Sequence, residues 1–113
     1  MPVSTPIPPA AWARVESFVS AFVSRDYDKA RTHVAEKLAA WRYLAHQELV
    51  DAERKSKGKQ PAERRDATFD ADQGRVVFLV DGVATTWTDW RFDDQGKIRS
   101  WAIDLGKVKL RIA

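Results

Sequence analysis

The chain of 113 residues contains no cysteine. That excludes disulfides, thiolate metal centres and cysteine nucleophiles, and leaves export open. Only two histidines occur, His33 and His46. Thirteen residues apart on one helical pattern, they fall on roughly opposed faces, so neither a two-histidine metal site nor any metal or cofactor is expected. No apolar run approaches the length of a membrane span, so no membrane insertion is expected. The start, MPVSTPIPPA, has neither a basic segment nor an apolar stretch of the kind a signal peptide carries. As given, the chain is therefore expected in the cytoplasm; the alternative is an extracytoplasmic domain of a longer exported protein. A glycine-rich phosphate loop, a Gly-x-Ser-x-Gly elbow and a His-Glu-x-x-His helix are all missing. The net charge of +3 is too small to mark a nucleic-acid binder.

What is present is core-building material. Five Trp, five Phe and two Tyr concentrate burial in a few large side chains, as a single small domain requires. Residues 1–9, with four prolines, read as an extended arm, and residues 10–113 as one domain. From Ala10 to about Ser24, the residues Val15, Phe18, Val19, Phe22 and Val23 recur at helical spacing. A break at Arg25–Asp28 follows. A second helical pattern runs from about Tyr27 to Ser56, with a stripe of Ala30, Val34, Leu38, Trp41, Ala45 and Leu49. Its polar face carries Glu36, Arg42, Glu48, Asp51 and Glu53. Its length predicts a kink or split near residues 37–41. Between Asp51 and Arg65, six basic and three acidic residues hold the whole charge excess of the protein. Around Gly58 and Pro61 this reads as a solvated loop, with no nucleic-acid partner expected.

Beyond Arg65 the period becomes two. Residues 65–70, 75–80, 83–92 and 97–105 read as strands, and 107–112 as a continuation or a fifth. Asp81–Gly82 between alternating runs is a hairpin turn. Pairing Val80 with Val83 sets Phe78 opposite Thr85 and Val76 opposite Trp87. One face then carries Val76, Phe78, Val80, Val83 and Trp87, with Asp89 further along. The other carries Val77, Leu79, Ala84, Thr86, Thr88, Trp90 and Phe92. Two apolar faces predict that something covers the second, because a solvated face is normally polar. Exposing Leu79, Trp90, Phe92 and Ile98 together would leave a patch that favours a homodimer or an adjacent domain. The fold class is α+β: two N-terminal helices packed on a four- to five-stranded antiparallel sheet.

Two stretches carry a family resemblance. VESFVSAFVSRDYDKA (residues 15–30) resembles the opening helix and turn of NTF2-like proteins, the SnoaL-type and ketosteroid-isomerase-type domains. TDWRFDDQGKIRSW (residues 88–101) is similar to their closing hairpin. Together they cover the two ends of the chain. The second helix is longer than usual in that family, and the middle is shorter, as in a reduced or divergent bacterial member. The resemblance implies a curved sheet closing a cystatin-like cone over the helices, with a pocket between the two layers and dimers through the outer face.

Candidate residues follow from chemistry. An Asp89 carboxylate among Trp87 and aliphatic groups would be desolvated and raised toward use as a general base. In ketosteroid-isomerase-like sites a carboxylate in an apolar cone serves that purpose. Arg91 or Arg99 would instead make it a wetted ion pair. Tyr43 and His46 stand one turn apart. With Trp41, Trp87 and Trp101 they are the candidate lining of a pocket for a small apolar ligand. The reading drawn from the sequence is a non-enzymatic interaction or small-ligand-binding module. The alternative is an isomerase- or hydratase-type enzyme using Asp89 as base with Tyr43 or His46 as donor.

Overall fold

The computed structural model describes residues 7–61 and 63–112. Most of the proline-rich arm, residues 1–6, lies outside them. Pro9 itself belongs to the first helix, α1 (Pro9–Val23), as its opening residue, where the missing N–H costs nothing. Val15, Phe18, Val19 and Phe22 are buried along one side of α1, as the spacing predicts; Val23 is half-buried, and Trp12, outside that pattern, is buried with them. The chain leaves α1 through Arg25, at φ 61°. It then enters the short α2 (Tyr27–Arg31), where the Asp26 side chain accepts from the Lys29 N–H at 3.2 Å.

The expected second helix is split rather than kinked, and the break begins earlier than residues 37–41. Residues 32–38 are not helical, and α3 (Ala39–Ser56) starts after Lys37, at φ 67°. The cause is competition for backbone partners. The Ala35 N–H donates to the Ile98 carbonyl at 2.8 Å, and the Ile98 N–H donates to the His33 carbonyl at 2.9 Å. A helix through these residues would forfeit both bonds. The predicted apolar stripe needs correction as well. Leu49 is 66% exposed, Ala45 is exposed, and α3 packs through Ala40 and Leu44. One and two turns further on, the packed positions are Glu48 and Asp51, assigned above to the solvent face. Both are held by side chains of the α1–α2 region.

Five strands follow: β1 (Arg65–Asp70), β2 (Arg75–Val80), β3 (Val83–Phe92), β4 (Ile98–Asp104) and β5 (Lys109–Arg111). They form an open antiparallel sheet in sequential order. The helices pack on the face bearing Phe69, Phe78, Trp87 and Trp101, through Trp12, Phe18, Phe22 and Tyr43. The β2–β3 register is the one the Asp81–Gly82 turn predicts, with Val80 opposite Val83 and Val76 opposite Trp87.

The face assignment of late β3 is corrected by an irregularity. Thr88 pairs with Ala102 and Arg91 with Ser100, so two β3 residues oppose one on β4. Asp89 sits in this bulge at φ 53°. The extra residue brings Trp90 onto the face of Trp87, where it is buried, and puts Asp89 outside. A compensating irregularity follows on β4 at Arg99, because Arg91 pairs with Ser100 and Phe92 with Ile98. The expected exposed patch of Leu79, Trp90, Phe92 and Ile98 therefore does not exist. Trp90 and Ile98 are core residues, and the other two are half-buried. Leu105, Val108 and Leu110, at the β4–β5 end, are exposed instead. Among the described residues no helix is long and apolar enough to cross a membrane.

Candidate functional site

Beneath the sheet the aromatic residues form a continuous stack. Trp87 lies 4.3 Å from Phe78 and 4.7 Å from Trp101, ring centre to ring centre, in near-parallel planes. Tyr43 stands edge-on to both tryptophans, at 5.9 and 5.2 Å. Three of the candidate ligand-binding residues, Tyr43, Trp87 and Trp101, are thus brought together by packing against one another. Burial pushes the Tyr43 phenol up to about 12, against the opposing pull of Arg65, so the group remains a protonated donor at neutral pH. Trp41 is half-buried at the edge of this core, and His46 is exposed on the far side of α3.

Asp89 does not join them. Its carboxylate is about half exposed and lies 3.0 Å from the Lys109 ammonium. Its backbone carbonyl accepts from the Arg111 guanidinium at 3.0 Å. The cation comes from β5 and not from Arg91 or Arg99. A carboxylate so placed faces solvent and a lysine rather than the apolar interior of a pocket.

A second constellation was not legible in the sequence. Arg65, the first residue of β1, has a side chain only 1% exposed. Its guanidinium donates to the Phe22 carbonyl and to the Tyr27 hydroxyl, both at 2.9 Å, and to the Glu63 carboxylate at 3.0 Å. The Tyr27 hydroxyl donates in turn to Asp51, which also accepts from Arg25 at 2.7 Å. Arg25 reaches on to the Glu63 backbone carbonyl. Two arginines and two carboxylates thereby close a neutral network that ties the α1–α2 break, α3 and β1 together.

Its protonation states are fixed by the same contacts. Burial acts to raise the Asp51 carboxyl. The bonds from Tyr27 and Arg25, with the charges of Arg25 and Arg65, outweigh it and hold the group below the usual carboxylate range. Burial, followed by the bond to Asp51, raises the Tyr27 phenol, while Arg65 opposes. Neither group is poised near neutrality for proton transfer.

This network floors a cleft of about 570 Å³ between α2, the C-terminal half of α3 and the segment at Gln60–Pro61. Ala52 and Pro61 give it apolar wall, and Lys55 and Lys59 stand at its rim. A cleft of this size falls within the range of small-molecule sites. The only hints in the sequence were the basic run and the break at Arg25–Asp28. Among the described residues, no group of three or more His, Cys, Asp or Glu side chains could hold a metal ion. Comparison with protein families, with curated proteins and with solved structures found no match.

Proposed function

We propose that this chain is a non-enzymatic interaction or small-ligand-binding module of NTF2-like organisation, with the cleft at Arg25, Asp51 and Lys55 as its ligand site. The single observation that carries the reading is where the ionisable groups are used. The charged groups around Arg65 satisfy each other in the Arg25–Tyr27–Asp51–Glu63–Arg65 network, burial keeps Tyr43 protonated in the aromatic core, and Asp89 is held outside by Lys109. An acid–base enzyme needs a titratable group with an unspent partner facing substrate; a binding cleft needs a rigid floor. The NTF2-like part of the reading rests on the element order, helices first and then an antiparallel meander with the helices on one face. The reverse of the sheet, with Val77, Leu79, Thr86 and Thr88 half-buried, is the face for a second copy or a neighbouring domain.

The cleft calls for a ligand with an apolar body against Ala52 and Pro61 and an acidic group toward Lys55 and Lys59. Anilinonaphthalene sulfonate has that form. Titrated into the folded protein, it should bind saturably, with amide shifts at Ala52, Lys55 and Gln60. Ala52→Glu, on an exposed position, should abolish the effect without changing the circular dichroism spectrum. Shifts confined to the other end of the molecule, or binding indifferent to Ala52→Glu, would reject the assignment.

A further inference from the structure

At the opposite end of the molecule a cavity of about 200 Å³ is lined by Leu38, Ala39, Arg91, Arg99, Ser100 and Ile112. The topology creates it. On its outer edge, β4 is joined to the α2–α3 connection at Ile98 and to the β5 side at Trp101, where the Ile112 N–H donates at 3.1 Å. Arg99 and Ser100 lie between these two attachments. The paired irregularities of β3 and β4 bring Arg91 opposite Ser100.

Three arginines border this cavity. Arg91 and Arg99 line the cavity, and Arg111 stands behind Ser100, donating to its hydroxyl oxygen at 2.9 Å. None of the three is in an ion pair among the described residues. The nearby Asp89 carboxylate is taken by Lys109, and the exposed Glu36 forms no ion pair among the described residues. Ser100 is 9% exposed. It accepts from Arg111, and its own hydroxyl hydrogen has no acceptor among the described residues. Burial lowers the Arg111 guanidinium, and the neighbouring charge of Arg91 lowers it further against the pull of Asp89. Like charges are thus held together with no ion pair of their own among the described residues. The opening turn of α3 adds to the same field: no side chain caps it, and no acidic residue lies in its first turn.

We propose that this cavity binds a phosphate group, free or as the terminal group of a small phosphomonoester. The guanidinium forks supply paired donors for a tetrahedral dianion, Ser100 supplies a hydroxyl donor, and the free N–H groups of α3 face the same negative charge. The volume of about 200 Å³ admits such a group together with a small ester substituent or ordered water. The site is separate from the cleft at Asp51 and does not depend on that assignment.

The test is a nitrogen–proton NMR titration with sodium phosphate at constant ionic strength, with chloride as control. Saturable shifts are expected at Ala39, Ala40, Arg99 and Ser100. The double variant Arg91→Gln/Arg99→Gln changes two exposed side chains that form no ion pair among the described residues, so it should keep the fold and lose at least tenfold in affinity. Arg91→Lys/Arg99→Lys keeps the charge without the fork and should fall between. Lys55→Ser/Lys59→Ser should leave binding unchanged. Methyl phosphate in a parallel titration separates the two sources. Tighter binding of the ester assigns the site to a terminal phosphate, and tighter or equal binding of inorganic phosphate assigns it to the free ion. No saturation, shifts confined to residues 55–65, or binding unaffected by Arg91→Gln/Arg99→Gln would overturn the proposal.

Discussion

The guanidinium carbon of Arg65 lies 4.0 Å from the centroid of the Phe22 ring. An always-charged group therefore stacks on the aromatic core, where its remaining edges meet the Phe22 carbonyl, Tyr27 and Glu63. Arginine suits this position because its planar fork offers five donors and a flat face at once.

Removing that group leaves the Glu63 carboxylate without its cation, Asp51 with Arg25 alone, and the Phe22 carbonyl with only the Arg25 N–H as donor. Arg65→Ala should cost about 3 kcal/mol, the order found when one partner of a buried pair is deleted. Arg65→Lys should recover less than half, since one ammonium cannot reach all three acceptors. Urea unfolding followed by tryptophan fluorescence measures both, and a loss below about 1 kcal/mol would place Arg65 among ordinary surface ion pairs.

Asp51 sets the acid limb of stability. Its carboxyl is held below the ordinary value in the folded protein by Tyr27, Arg25 and Arg65, which together overcome burial. The stabilisation is complete above the unfolded carboxylate value, about 3.9. It is lost as the pH falls through the lower, folded value, because the unfolded chain takes up the proton first. Asp51→Asn should flatten this limb while lowering stability at pH 7. Thermal unfolding between pH 2.5 and 6 checks both effects.

His33 acts at a higher pH. Burial lowers its imidazole, and the charges of Arg14 and Lys29 add to the effect. Folding favours the neutral ring, so stability is full above about 6.5, the unfolded value. It declines as the pH drops from there to the folded value, then levels off. His33→Gln should remove that step. Added salt should shrink it in the parent protein by screening Arg14 and Lys29. Melting temperatures at pH 5 and 7.5, at two salt concentrations, read the outcome.

The first helix, the strands and the β2–β3 register were legible because each rests on a local signal: prolines ahead of α1, alternation in β2, and Asp81–Gly82 between two apolar runs. What failed were assignments that needed long-range knowledge. Leu49 fits a helical stripe by spacing, yet α3 meets the α1–α2 region there through Glu48 and Asp51, whose partners lie far away in sequence. The outward turn of Asp89 depends on one extra residue in β3, and strict alternation contains no sign of it. Arg65 looked like one more member of a basic loop, because nothing local distinguishes a buried arginine from a solvated one.

Asp89 joins this correction to a measurable strain. At φ 53° it occupies the left-handed region, which residues with a Cβ enter at a cost and aspartate tolerates better than most. The bulge it forms decides that Trp90 lies under the sheet with Trp87 and Trp101 rather than outside it. Asp89→Gly relieves the backbone and gives up only an exposed contact with Lys109, so its stability should stay within about 0.5 kcal/mol of the parent. Asp89→Val keeps the strain and loses the polar side chain, so it should lose about 1–2 kcal/mol. Asp89→Asn should resemble the parent, since its short polar side chain tolerates the same conformation. Chemical denaturation of the three variants orders them. If Asp89→Val proved as stable as Asp89→Gly, the left-handed bulge would not be the device that turns Trp90 inward.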